Sequence, residues 1–156
     1  MITCSFENGN KAFLRHVAAD ALVLRGQEIL LVKRASKLIE GGKWGLAGGY
    51  MDRDETIRET VEREVLEETG YKVENITLFK IIDNPNRPGE DRQNIAFVFF
   101  CHALDKVGQA DNESDEQRWF DLSALPPESE MAFDHAASIR DYQEYLKSSG
   151  SWPLFK

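Results

Sequence analysis

Between Gly49 and Tyr71 the chain reads GYMDRDETIRETVEREVLEETGY. This sets Gly49, Glu55, Arg63, Glu64, Glu67, Glu68 and Gly70 in the spacing G-x5-E-x7-R-E-U-x-E-E-x-G-U, where U marks the apolar Val65 and Tyr71. Taking each fixed residue at about one in fifteen, a chance match in a chain this long is on the order of one in a million. Ile57, Val61 and Val65 recur every four residues, the row of a helix with one apolar side. Asp54 or Thr56 can cap its start, and Gly70 can take the left-handed conformation that ends it. On such a helix Glu64, Glu67 and Glu68 fall within an arc of ~100°. Crowded carboxylates repel and raise one another's pKa unless a cation neutralises them. An all-oxygen set suits hard divalent ions, which a few carboxylates hold together with substrate phosphates. Arg63 can fix a neighbouring carboxylate by a bidentate pair. A solvated acidic face would explain any one of these glutamates, but not the complete spacing.

On these residues the chain resembles the Nudix hydrolase family. The resemblance implies metal ligation by Glu64, Glu67, Glu68 and the carbonyl of Gly49, with Mg2+ as the cofactor and Mn2+ as its substitute. It also implies two or more ions bridging a pyrophosphate and lowering the pKa of a bound water for in-line attack. Glu64, Glu67, Glu68 and Arg63 are then the catalytic set. For the general base the sequence leaves Glu68, acting through a metal-bound water, and Glu113 or Glu116, reaching in from before Trp119. Ala47 stands where many relatives carry proline, which loosens the turn and leaves the ligands untouched.

Away from this segment the signals are weaker. Arg34 closes an apolar strand, where similar enzymes use a basic residue on substrate phosphates; a solvated strand end is an equal alternative. Trp44 can stack on a base, although packing beside the glycine turn is the stronger reading. The stretch 83–92 is rich in turn formers and charge, so it should be exposed and mobile. It is similar to the D-x-P-x-R-x-x-x-x-R segment of ADP-ribose pyrophosphatase-like members, and places Arg87 and Arg92 where they can grip a diphosphate substrate. Ala132-Phe133-Asp134-His135 is similar to a segment of the same subgroup, though Asp134 as a helix cap is sufficient by itself. His16, His102 and His135 lack metal-ligand spacing and read as structural.

With 156 residues, 42% of them hydrophobic, the chain fits one domain over 1–156, with 1–15 a short N-terminal segment. Apolar runs at 17–25, 28–34, 44–48, 73–82, 94–104 and 117–122 read as strands, and 134–146 as a closing helix. The expected class is α/β, an α/β/α sandwich with a mixed central sheet, which the resemblance also implies. Cys4 and Cys101 form no disulfide or zinc pattern, so a reducing cytoplasm is the expected setting. No run approaches a membrane span. The 49–71 segment holds eight acids and three bases, five of the chain's eight net negative charges. That field, without a basic stripe, argues against a nucleic-acid polymer and is compatible with a small nucleotide chelated to Mg2+. The sequence leaves a homodimer open. The leading substrate is a nucleoside diphosphate linked to another moiety, ADP-ribose or a related nucleotide sugar. A MutT-like nucleoside triphosphate pyrophosphohydrolase, acting for example on 8-oxo-dGTP, is the alternative. A non-catalytic nucleotide sensor is a third, which the intact glutamate set opposes.

Overall fold

The computed structural model describes residues 2–87, 93–111, 113–147 and 153–156. Strands β1 (Ile2–Ser5) and β2 (Lys11–Leu14) form an antiparallel hairpin of their own. The central sheet takes β3 (Val17–Arg25), β4 (Glu28–Arg34), β5 (Trp44–Gly45), β6 (Ala47–Tyr50), β7 (Tyr71–Ile82), β8 (Ile95–Lys106), β9 (Ser114–Asp121) and β10 (Leu154–Phe155). The order β10-β7-β8-β3-β4-β5 runs across it, with β6 paired to β3 and β9 to β4. The β3–β8 and β10–β7 pairs are parallel and the rest antiparallel, so the sheet is mixed as expected. Helices α1 (Ile57–Thr69) and α2 (His135–Tyr145) complete the fold.

Strand β3 carries apolar residues on both sides because both sides are covered. Ala19, Ala21 and Val23 face the layer built with Val61 and Val65 of α1. Leu22 and Leu24 face the layer built with Phe79, Val98, Ile139 and Tyr142. One edge of β3 is divided: Ala18–Ala21 pair with β6, and Val23–Arg25 pair with β4. This division sets the glycine strand β6 beside the later turns of α1, where Glu64 and Glu68 meet Gly49 and Gly48. Thr56 caps that helix reciprocally with Glu59, and Gly70, at φ 76°, closes it by donating to Leu66 O at 2.8 Å. Three elements were not expected from sequence: β1 and β2, which lie within 1–15, and β10, two residues added parallel to β7.

Candidate active site

A cleft of about 460 Å3 opens between β6, the inner face of α1, the end of β4 and the turn before α2. Gly49, Arg63, Glu64, Glu67, Glu68 and Glu113 line its acidic wall; Arg34, Arg87, Phe133 and His135 line the opposite one. The sequence placed the three glutamates as one exposed set, and the structure separates them. Glu68 is buried at 5% exposure, and its Oε2 accepts from Gly48 N at 3.0 Å. Burial, reinforced by the nearby Glu64 charge, pushes its carboxyl up to about 8, although the Gly48 hydrogen bond works the other way. Glu64 lies against Gly49 so closely that a Cβ there would overlap its carboxylate. A side chain at 49 would displace that carboxylate, so glycine leaves Glu64 its position. Burial raises the Glu64 pKa too, against the pull of Arg63. Glu67 is exposed.

Arg63 organises this wall. Its Nε and one terminal nitrogen hold Glu55 at 3.0 and 2.7 Å, and the same terminal nitrogen donates to Tyr50 O at 3.0 Å. The other terminal nitrogen bonds Glu64 at 2.7 Å and Glu67 at 3.2 Å. Glu55 also accepts from Asp52 N at 2.7 Å and Thr60 Oγ1 at 2.9 Å. The Arg63 hydrogen bonds hold its carboxyl down to about 2, despite some desolvation. Glu55 is thus the anchor that keeps Arg63 facing the metal-type carboxylates, a role that the spacing alone did not reveal. Among the described residues no three His, Cys, Asp or Glu side chains converge tightly enough to form a ready-made metal cage. The donor set is all oxygen, and it needs further oxygens to close around an ion.

The last carbonyls of α1 are used as well. Glu67 O accepts from Asp111 N at 2.9 Å and Glu68 O from Ser114 Oγ at 3.1 Å; Gly70 O accepts from Val107 and Gly108 N. This stitching brings Asp111 and Glu113 to the cleft mouth. Glu116 does not line the cleft. It sits on β9, where its carboxylate pairs with Arg118, so its reading as general base is set aside in favour of Glu68 and Glu113.

Trp44 follows the packing reading, and the stacking role weighed for it is not supported. It is buried in the core at 5% exposure, edge-on to Phe120 at 5.0 Å, and does not line the cleft. Arg34 does line it, with Nε donating to Ile39 O at 2.9 Å and its guanidinium over the Phe133 ring at 5.0 Å. Arg87 lines it too: residues 83–86 before it are exposed as expected, but Arg87 itself is buried and makes a bidentate pair with Asp134 at 3.0 and 2.6 Å. Burial opposes ionisation of Asp134, yet the Arg87 hydrogen bond and charge bring its pKa below the ordinary value. Asp134 therefore serves Arg87 and makes no side-chain cap on α2. Arg92 lies outside the described residues. His135 is buried with Nδ1 accepting from Leu46 N at 2.9 Å, which puts the proton of the neutral ring on Nε2, 3.9 Å from Asp20 Oδ1. Burial lowers its pKa, which keeps the ring neutral. The reading of His135 as structural holds, with the addition that it borders the cleft.

A mixed sheet between two helices, with acidic side chains of α1 and two arginines lining one cleft, defines an α/β/α sandwich with a charged cleft. The NUDIX domain model matches residues 14–142. The chain is similar to the ADP-ribose pyrophosphatase of Methanocaldococcus jannaschii, 33% identical over 132 residues that cover 83% of this chain and 73% of that protein. It is also similar to the NAD-capped RNA hydrolase NudC of Actinobacillus succinogenes, 34% identical over 119 residues covering 70% of this chain and 43% of that one, so it spans less than half of that relative. Among solved structures, an ADP-ribose pyrophosphatase from Streptococcus suis superposes with a TM-score of 0.73 at 25% identity, covering 92% of this chain and all of that one. The chain belongs to the Nudix hydrolase family.

Proposed function

We propose that the protein hydrolyses the pyrophosphate bond of a nucleoside diphosphate linked to another moiety, with ADP-ribose or a related nucleotide sugar as the substrate class. One observation carries this reading: a single cleft sets Gly49, Glu64, Glu67 and Glu68 on one wall and Arg34 and Arg87 on the other. A dianionic diphosphate chelated to a cation has complementary charge for both. The similarity to ADP-ribose pyrophosphatases supports the choice of substrate. Nudix hydrolases use divalent metals, and the residues here fit one. The oxygens are hard donors, Glu64 packs on a glycine that leaves it room, and Glu68 is a buried acid whose ionisation a cation would favour. Glu64, Glu67, Glu68 and the Gly49 carbonyl would hold Mg2+ or Mn2+. When bound, the ion supplies charge neutralisation at the phosphoryl oxygens and an acidified water.

The chain's own residues do the rest. Arg63, anchored by Glu55, keeps Glu64 and Glu67 directed into the cleft. Glu68, held on Gly48 N, is the first choice to accept the proton of the attacking water, and Glu113 at the mouth is the second. Arg34 and Arg87 orient the diphosphate. For ADP-ribose the products are AMP and ribose 5-phosphate. The test is a substrate panel with Mg2+ comparing ADP-ribose, a nucleotide sugar, NAD and 8-oxo-dGTP by product release. Preferred turnover of ADP-ribose or the sugar is expected. A kcat/KM for 8-oxo-dGTP far above both would reassign the substrate class to nucleoside triphosphates. A folded protein that binds these compounds without turnover would be a sensor.

A further inference from the structure

Phe133 has a backbone that a bulky side chain rarely adopts, at φ 50°, and it has that backbone at the cleft wall. Such conformations persist only where the surroundings fix them, and they concentrate where a site uses the result. Residues on both flanks fix this one. Ala132 N donates to Trp44 O at 2.7 Å, and two residues on His135 accepts from Leu46 N. The Phe133 ring is then caught between two groups, with its centroid 5.5 Å from the His135 ring and 5.0 Å from the Arg34 guanidinium carbon. It belongs to neither core layer. Its ring contacts are with the His135 ring and the Arg34 guanidinium.

Arg34 differs from the other arginines of the cleft, Arg63 and Arg87, which both hold carboxylates. Arg34 makes no ion pair among the described residues; a single bond from Nε to Ile39 O and the ring beneath it define its position. A guanidinium lying over an aromatic face keeps its terminal N–H groups for in-plane acceptors, and loses side-chain freedom before a ligand arrives. We infer that Phe133 is a positioning residue for substrate recognition: its ring, set by the left-handed backbone of the 132–135 turn, preorganises Arg34 to grip a phosphoryl oxygen of the substrate. This rests on the reading of the cleft as a pyrophosphate site.

The test is a double-mutant cycle of Phe133→Gly and Arg34→Ala, read as the Kd of inorganic pyrophosphate by calorimetry with Mg2+ and as KM and kcat for ADP-ribose. Glycine accepts the positive φ, so the ring is removed without adding backbone strain. Arg34→Ala should weaken pyrophosphate binding and raise KM by about tenfold, with kcat little changed. Phe133→Gly should give a severalfold loss in the parental background and no further loss in the Arg34→Ala background. Phe133→Tyr, which keeps an aromatic face, should bind within about twofold of the parent, while Phe133→Leu should resemble the glycine variant. Additive losses, an Arg34→Ala variant that binds like the parent, or equal binding by the tyrosine and leucine variants would each overturn the inference. The last comparison decides if the glycine variant fails to fold. If ADP-ribose is not hydrolysed while the pyrophosphate cycle behaves as described, the substrate reading falls and the role of Phe133 stands.

Discussion

The two walls of the cleft solve opposite electrostatic problems by different means. The α1 wall concentrates like charge: one guanidinium, Arg63, is shared among Glu55, Glu64 and Glu67, and Glu68 is left buried without a cationic hydrogen-bond partner. The arginine wall is relaxed by comparison. Arg87 has a bidentate carboxylate in Asp134, and Arg34 rests on an aromatic ring. The first wall stores repulsion that a cation would relieve, and the second has an internal partner for each guanidinium. Damage to the α1 wall should therefore appear in activity, and damage to the arginine wall in stability or affinity.

The sharpest break is removal of metal. Hydrolysis should vanish in EDTA and return with Mg2+ or Mn2+, with Zn2+ a poor substitute at an all-oxygen site; substantial turnover by rigorously metal-free protein would show that the acidic wall is not a metal site. Next in size, Glu67→Gln or Glu68→Gln should lower kcat by roughly a hundredfold or more. Thermal stability of the metal-free Glu68→Gln protein should hold or rise, because a buried acid with a raised pKa is replaced by an amide that can still accept from Gly48 N. Near-parental kcat in the folded variant would sink the assignment.

The arginine wall should respond in the other way. Asp134→Asn removes a charge-assisted bidentate pair from a buried arginine and should cost about 2 kcal/mol in denaturant unfolding, with kcat less affected than in the glutamate variants. A neutral effect on stability would mean that the two walls do not differ as described. The smallest effect concerns pH. Glu68 has a folded pKa of about 8, raised from 4.5, so the folded state holds its proton more tightly than the unfolded one. Its contribution is complete below the unfolded value and is lost as pH rises through the folded one. The Tm of the metal-free parent should therefore fall relative to Glu68→Gln as pH rises from about 5 to about 8, and Mg2+ should reduce the difference. A gap that widened in favour of the parent with rising pH would reverse the sign and exclude a raised pKa.

The walls also differ in how far the sequence betrays them. The α1 wall is written within 22 residues, and helix periodicity places Glu64, Glu67 and Glu68 side by side whatever surrounds them. Its limits were legible for the same reason, since the Thr56 cap and the Gly70 terminator are local chemistry. Burial was not legible: nothing in the spacing says that Glu68 is enclosed while Glu67 is exposed, because β6 does the enclosing. The arginine wall joins positions 34, 87 and 133–135, and the Arg87–Asp134 pair spans 47 positions, too far for any local pattern to report. Asp134 looked like a cap because it precedes a helix, and Trp44 kept a ligand reading behind the core one because an indole can serve either. The β1–β2 hairpin was missed for a plainer reason. Its strands have four residues each and are largely exposed, so they carry no burial pattern.

The hydrogen bonds at the end of α1 bear on time as well as on shape. Carbonyls that every helix leaves without an internal partner are here satisfied by Val107, Gly108, Asp111 and Ser114. The segment that carries Glu113 is thus part of the helix terminus in all but chain order. A free surface loop moves in nanoseconds to microseconds, whereas breaking several backbone bonds together is a local unfolding event, slower and rarer. Glu113 and the helix carboxylates are therefore expected to share one frame, held by these hydrogen bonds.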